Sequence, residues 1–345
     1  MKTKIYFEHD LKKLKTVFDN TVFNCAKICV VTDKNIAKIY FKNKPISNKV
    51  FYYVCSAGEN SKSFDTACSL YKFLIENNFS RQDILIAFGG GVIGDLTGFV
   101  ASTFMRAIRF IQIPTTLLAQ TDSSIGNKNA INFNGVKNII GTFYKPEFIY
   151  INTSFLKTLP PLEISNGMAE IIKYSLLDKD FFNYLIEQKN IFKDEKIFMR
   201  VLKKSVRIKL NIVKKDKLEK NTRRFLNLGH TLAHALESVS DFSLGHGQAV
   251  SLGIIFALYI SCLRNLDVSI MKKVIEILKN YALPTKIHCL NKDAVYTKMF
   301  CDKKFDNGKI NIVLLNDIGN PIICNDISKT QIFEAMDYLI DNKLS

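Results

Sequence analysis

Five short β-branched and aromatic runs alternate with helical patterns through the first 150 residues. They are Ile28-Cys29-Val30-Val31-Thr32, Phe51-Tyr52-Tyr53-Val54, Ile84-Leu85-Ile86-Ala87-Phe88, Phe110-Ile111-Gln112-Ile113 and Phe148-Ile149-Tyr150-Ile151. Between the second and third, residues 63–78 carry apolar side chains at helical spacing. Such alternation predicts βαβ units on a mostly parallel sheet, a Rossmann-like α/β arrangement. After Pro160-Pro161 the texture changes to amphipathic helices, expected over about 163–220, 227–239 and 247–264. Residues 310–315 and 321–324, joined by Asn316-Asp317-Ile318-Gly319-Asn320, read as a hairpin on this helical part. At 345 residues the chain exceeds the size at which one core stops growing. We therefore expect an α/β domain over 1–155 and a mainly α-helical domain over 156–345, with the active site in the cleft between them.

A hydrophobic fraction of 47% supports large cores. The net charge of +16 is spread along the chain, with no dense basic run interleaved with aromatics, so it does not point to nucleic acid. An anionic small substrate accounts for it equally well. The eight cysteines include no Cys-x-x-Cys pair and no short disulfide framework, which reads as reduced thiols. Neither a signal-peptide pattern at Met1-Lys2-Thr3-Lys4-Ile5 nor an apolar run of roughly 18 residues is present. A cytoplasmic protein without membrane partners is the expectation.

Three of the five histidines fall within 17 residues, in Asn227-Leu228-Gly229-His230-Thr231-Leu232-Ala233-His234 and Leu244-Gly245-His246-Gly247. On a helix His230 and His234 lie one turn apart on one face, and a returning loop can bring His246 beside them. An earlier segment, Gly167-Met168-Ala169-Glu170-Ile171-Ile172-Lys173-Tyr174, places a carboxylate and an ammonium group at i, i+3 on an otherwise apolar helix. Such groups are seldom buried without partners. Two imidazoles and one carboxylate would make a catalytic zinc site with positions left open.

The third strand runs directly into Gly89-Gly90-Gly91-Val92-Ile93-Gly94-Asp95. Glycines there let a backbone approach a pyrophosphate, whose charge the following helix N-terminus would meet. The match of Gly89, Gly91 and Gly94 to G-x-G-x-x-G is formal. In a standard unit the loop follows the first strand, and an acid comes about 20 residues later. Gly58-Glu59-Asn60-Ser61-Lys62 and Pro114-Thr115-Thr116 follow other strands, so polar groups collect at the carboxyl edge of the sheet. Residues 120–132 and Lys137-Asn138 read as a polar inter-element segment suited to phosphate and hydroxyl groups.

Taken in order, the Gly89 to Asp95 loop, Pro114-Thr115-Thr116-Leu117-Leu118-Ala119-Gln120, Asp122-Ser123-Ser124-Ile125-Gly126, Gly167-Met168-Ala169-Glu170, Asn227-Leu228-Gly229-His230-Thr231 and Gly245-His246-Gly247 resemble the 3-dehydroquinate synthase family. The resemblance runs from about Asp33 to Gly319. It implies a lyase of the shikimate pathway, requiring NAD and a zinc or cobalt ion, that converts 3-deoxy-D-arabino-heptulosonate 7-phosphate into 3-dehydroquinate and phosphate. Oxidation, phosphate elimination, re-reduction and an aldol closure share one site, and NAD is regenerated each turnover. By position, Glu170, His230 and His246 match the metal ligands. Asp33, Glu59, Lys62, Gly91, Val92, Gly94, Asp95, Thr115, Thr116, Asp122, Lys128 and Lys137 match nucleotide contacts. Lys128, Lys173, Lys209, Arg223, Asn227, Asn138 and His234 match groups that bind the sugar phosphate, with His234 as proton carrier. Lys303 or, in preference, Lys304 would close the site. Arg106 resembles an arginine that reaches the phosphate of the neighbouring subunit, which implies a homodimer.

Two departures stand out against the family pattern: Asn127 where Gly-Gly-Lys is usual, and Leu162 where an arginine precedes Glu163. The competing readings are a metal-dependent polyol or alcohol dehydrogenase of the glycerol dehydrogenase kind, another sugar phosphate cyclase, and a basic nucleic-acid-binding protein without catalysis. The first has little need of Lys128, Lys173, Lys209 and Arg223 together, and the second lacks a substrate carboxylate.

Overall fold

The computed structural model describes residues 3–10, 27–42, 49–188, 190–216, 219, 221–240, 244–301 and 310–340. The chain divides into two compact units, Met1–Leu159 and Pro160–Ser345.

In the first unit the described elements are β1 (Lys4–Glu8), β2 (Ile28–Asp33), α1 (Lys34–Tyr40), β3 (Val50–Cys55), α2 (Phe64–Glu76), β4 (Ile84–Gly89), α3 (Gly91–Thr103), β5 (Arg109–Pro114), β6 (Lys128–Phe133), β7 (Val136–Phe143) and β8 (Phe148–Asn152). Six strands form one sheet in the order β1-β8-β5-β4-β2-β3. Every pairing in it is parallel. The central strand β4 is buried along its whole length and feeds both faces, as the two-residue period dictates. Leu85 and Ala87 pack with Leu70, Leu74, Leu96 and Val100 on one side. Ile84, Ile86 and Phe88 pack with Ile111, Phe148 and Phe155 on the other. Each such side chain contributes about 1.5–3 kcal/mol on leaving water. Helix α2 begins where Ser63 Oγ accepts from the Thr66 amide at 3.2 Å.

The order in which successive strands are added reverses at β2, which has β3 on one side and β4 on the other. The carboxyl ends of β2 and β4 therefore flank a topological switch point, where open α/β sheets bind ligands. Asp33 and the Gly89-Gly90-Gly91 run sit at those ends.

Two parts of this unit differ from the sequence expectation. The edge strand β1 was not foreseen. The polar stretch read as an inter-element segment is instead largely an antiparallel hairpin, β6 paired with β7. Its turn is Asn134-Gly135, with φ of 50° and 76°, the left-handed pair that a two-residue hairpin loop requires.

In the second unit the elements are α4 (Pro161–Leu176), α5 (Lys179–Ile186), α6 (Glu195–Lys215), α7 (His230–Val239), α8 (His246–Cys262), α9 (Val268–Asn280), α10 (Lys292–Cys301), β9 (Ile312–Asp317), β10 (Asn320–Cys324) and α11 (Lys329–Leu339). The helical stretch expected over 163–220 is three helices. Asp178 Oδ1 accepts from the Phe181 amide at 2.9 Å, and Asp194 Oδ1 from the Lys196 and Ile197 amides at 2.7 and 3.0 Å. Each acid caps a new N-terminus and so restarts the helix. Helix α8 is buried continuously from Ala249 to Leu258, rather than on one face. It forms the axis of the unit, packed by α4, α7, α9, α11 and β9. The hairpin β9–β10 forms as expected, and α9, α10 and α11 are additional to the expected helices. Among the described residues no helix is long and apolar enough to cross a membrane.

Candidate metal centre and nucleotide loops

Two close backbone crossings build the centre of the second unit. At the first, a Cβ on Gly247 would stand 2.3 Å from Asn166 Cα and 2.4 Å from its carbonyl oxygen. Only glycine lets the start of α8 lie on α4 there, one turn before Glu170. At the second, a Cβ on Gly253 would stand 1.9 Å from the Gly229 carbonyl oxygen. Gly229 itself has φ of 79°, a left-handed conformation that glycine adopts at no cost. The first crossing sets His246 over Glu170, and the second brings His230, the first residue of α7, beside both.

The resulting geometry is convergent. His230 Nε2 and His246 Nε2 each lie 3.4 Å from Glu170 Oε1. Lys173 Nζ lies against the other oxygen, Oε2. Neither buried carboxylate oxygen has an aligned hydrogen bond. One ligand atom from each of Glu170, His230 and His246 falls within 4.8 Å of the others. Ligands held at about 2.0–2.2 Å around a tetrahedral ion stand about 3.4 Å apart, so the spacing about Oε1 fits a zinc-like cation. His234 stays outside this group, although its ring centroid is 5.4 Å from that of His230. Within the second unit the structure thus brings together the carboxylate and two of the three clustered imidazoles.

Each imidazole is oriented from behind. His230 Nδ1 lies 3.2 Å from the Leu228 carbonyl, and His246 Nδ1 lies 3.5 Å from Glu237 Oε1. With Nδ1–H donating to those oxygens, both Nε2 atoms face the centre. Burial opposes ionisation of Glu170, yet the Lys173 charge and the two histidines hold its carboxyl well below the usual range. Burial, reinforced by the Lys173 charge, brings His230 down to about 3 despite Glu170. For His246 burial again lowers the value, but the contacts to Glu170 and Glu237 outweigh it and raise it to about 9.

A recess opens beside this centre, lined by Arg224, Asn227, His230, Thr231, His234, Asn311, Val313 and Ile323. Lys209 and Arg223 are buried at 7% and 3% exposure, and the Arg223 amide donates to Asp216 Oδ2 at 3.1 Å. Asn227 Nδ2 donates to Glu219 Oε1 at 3.4 Å. Glu237 and Arg224 were not singled out from the sequence. A lone acid two turns after His230 on an apolar helix was the available signal for the first. Lys303 and Lys304 lie outside the described residues.

In the first unit, Asp33 Oδ1 caps α1 by accepting from the Asn35 and Ile36 amides at 2.8 and 3.1 Å. Helix α3 starts at Gly91, and its N-cap residue Gly90 offers no side-chain cap, an N-terminus of the kind that meets anions. A Cβ on Gly91 would stand 2.9 Å from Ser123 Oγ, so a side chain there would have to displace Ser123. The Thr115 amide donates to the Gly89 carbonyl at 2.9 Å, binding the loops after β4 and β5. Thr116 Oγ1 accepts from the Ala119 amide at 3.1 Å, and Asp122 falls in the wide turn at Ala119–Ser123. Lys62 Nζ is 2.6 Å from Asp95 Oδ2 and also contacts Asn138 Oδ1. Asn132 Nδ2 donates to Glu59 Oε1 at 2.8 Å while its Oδ1 accepts from the Asn138 amide at 2.9 Å. Glu59, Lys62, Asp95 and Asn138 therefore form one network. Lys137 is half-buried on β7, and Lys128 is exposed at the start of β6. Asn127, with φ of 63°, takes the left-handed conformation in which glycine is usual, so the departure there keeps the loop's backbone. Arg106 is exposed in a run, Met105 to Ala107, of three positive φ values. Arg81 Nε donates to the Met105 carbonyl at 2.6 Å within that run.

Fold and centre together define a two-unit α/β protein with a doubly wound parallel sheet and a helical unit carrying a potential metal centre. The same fold is seen in a 2-epi-5-epi-valiolone synthase from Streptomyces hygroscopicus subsp. jinggangensis 5008, solved with NAD+ and Zn2+ bound. The TM-score is 0.88 at 24% identity, covering 98% of this chain and 97% of that one. It is seen again in a 2-deoxy-scyllo-inosose synthase complexed with carbaglucose-6-phosphate, NAD+ and Co2+. There the TM-score is 0.80 at 24% identity, covering 96% of this chain and 95% of that one. The sequence is more specific than the fold. Residues 52–166 match the 3-dehydroquinate synthase N-terminal family and residues 167–305 the C-terminal one. A 3-dehydroquinate synthase from Acetivibrio thermocellus is 42% identical over 310 residues, 86% of each chain. The chain belongs to the 3-dehydroquinate synthase family.

Proposed function

We propose that this chain converts 3-deoxy-D-arabino-heptulosonate 7-phosphate into 3-dehydroquinate and phosphate, using NAD and a zinc or cobalt ion. The observation that carries the reading is the convergence of two imidazole Nε2 atoms on one buried carboxylate oxygen, in a chain of this family. NAD supplies the acceptor that takes a hydride from a ring alcohol and returns it within the same turnover. The divalent ion supplies a Lewis acid that eases loss of that alcohol's proton.

Glu170, His230 and His246 would hold the ion, with Lys173 keeping Glu170 ionised. His234 lines the recess one turn from His230 and accepts the alcohol proton. Asn227, Lys209 and Arg223 meet the carboxylate, hydroxyls and phosphate of the substrate. Lys128 and Asn138 are assigned to the same ligand by family position. The substrate's own phosphate dianion takes the proton whose loss expels it, so the protein needs no further base there. In the first unit the uncapped start of α3 at Gly91, Val92, Gly94 and Asp95 cradles the pyrophosphate. Asp33, Glu59, Lys62 and Lys137 bind the adenosine side. Thr115, Thr116 and Asp122 bind toward the nicotinamide. The first unit is thus the nucleotide-binding domain and the second the metal- and substrate-binding domain.

We further assign a homodimer in which Arg106 reaches the phosphate in the neighbouring site. Its exposure and the strained backbone that presents it support this role. A cytoplasmic location accords with the unpaired thiols of the described cysteines. Exhaustive chelation should abolish phosphate release from the heptulosonate phosphate, and zinc or cobalt should restore it. Activity untouched by chelation would overturn the reading.

A further inference from the structure

The side chain behind His246 differs in kind from the one behind His230. His230 is backed by a neutral backbone carbonyl, Leu228, whereas His246 is backed by a carboxylate, Glu237. Glu237 is only 4% exposed; it lies on the same side of α7 as His230 and His234, in a helix whose other buried residues are Leu232, Ala233, Ala235 and Leu236. An acid is kept in such surroundings only with a partner. Its Oε1 faces Nδ1 of His246, the nitrogen turned away from the centre, so Glu237 is placed as a support of the ligand and not as a fourth ligand.

We propose that Glu237 is a positioning residue for the metal centre: it fixes His246 as the Nδ1–H tautomer and makes its Nε2 the more strongly donating of the two imidazole ligands. The inference rests on the metal site proposed above. A carboxylate behind a ligating imidazole orients the ring and raises its basicity, and removing such a partner lowers metal affinity about 10–100-fold. Because α8 starts at His246, that ring has no helical turn before it to fix its orientation, and Glu237 supplies the fixing contact from α7.

The test is zinc and cobalt titration of the purified, metal-free full chain and of Glu237→Gln and Glu237→Asp, with the cobalt absorption spectrum recorded for each. Gln keeps the acceptor oxygen and nearly the volume but removes the charge. We expect metal dissociation constants about tenfold or more higher for Glu237→Gln, a shifted cobalt spectrum, and partial recovery in Glu237→Asp. Dissociation constants within twofold of the unsubstituted chain, with an unchanged spectrum, would overturn the role of Glu237 and leave the metal site standing. An unsubstituted chain that binds neither ion would instead overturn the metal site itself. A readout that requires no substitution covers poor folding of the variants. The cobalt-loaded native chain should show two exchangeable, paramagnetically shifted imidazole N–H resonances, one per supported ring. One resonance alone would refute the support of His246.

Discussion

Glu170 is the residue on which the contacts of the candidate metal centre converge. It is fully buried, touched by one ammonium group and two imidazoles, and leaves both carboxylate oxygens without an aligned hydrogen bond. The Lys173 ammonium meets Oε2 of this buried anion, and Oε1 faces the two imidazoles. Substituting His246 by Ala should therefore remove a ligand and lower metal occupancy. Substituting His234 should leave the metal bound and slow turnover by about 10²–10⁴-fold, the range for loss of a proton-transfer group. Equal loss of metal in both variants would contradict that division. The charge states make a further prediction. In the metal-free chain His246 is raised to about 9, so it carries its proton below that pH and loses it as pH rises through it. His230 is lowered to about 3 and is already neutral above it. Metal binding near pH 7 should release about one proton, and near pH 10 almost none. Calorimetry in buffers of different ionisation enthalpy counts them; two protons at pH 7 would contradict the assignment. The three residues that converge here, Glu170, His230 and His246, each stand in a short motif that the family resemblance singles out. Glu237 was not legible in the sequence, since its partner His246 lies on another helix.

At the level of elements, the site depends on helices being allowed to touch. Gly253→Ala would force a Cβ against the Gly229 carbonyl, where 1.9 Å is available, and the backbones of α7 and α8 must part. The expected result is a loss of about 1–3 kcal/mol of stability, of the size of core overpacking. Metal affinity should weaken with it, since the crossing sets His230 beside His246. Thermal melting and metal titration of this variant check both, and an unaltered metal affinity would show that the crossing does not set the ligand spacing. Element-level legibility was uneven. The other five strands of the sheet were visible as apolar β-branched runs, but β1 shares their character only over the few residues Lys4–Glu8. The β6–β7 hairpin was concealed by its polar side chains, although Asn134-Gly135 carried the strongest short-range hairpin signal available. Asp178 and Asp194 likewise marked the helix breaks that apolar periodicity alone ran through.

For the molecule as a whole, sequence and fold answer different questions. A doubly wound sheet with its switch point between β2 and β4 indicates where a ligand can sit, and the same fold is found in synthases that make other products. Fold alone does not fix chemistry. The family motifs were readable because they cluster at loop and helix starts, where the backbone serves chemistry as well as packing. The central claim is that NAD is reduced and reoxidised within one turnover while phosphate leaves. The most direct measurement supplies 3-deoxy-D-arabino-heptulosonate 7-phosphate, zinc and a catalytic amount of NAD, and follows phosphate, 3-dehydroquinate and NADH together. Phosphate and 3-dehydroquinate should form in equal amounts, far exceeding the NAD added, with no net NADH. NADH accumulating in step with substrate loss, without phosphate release, would contradict it.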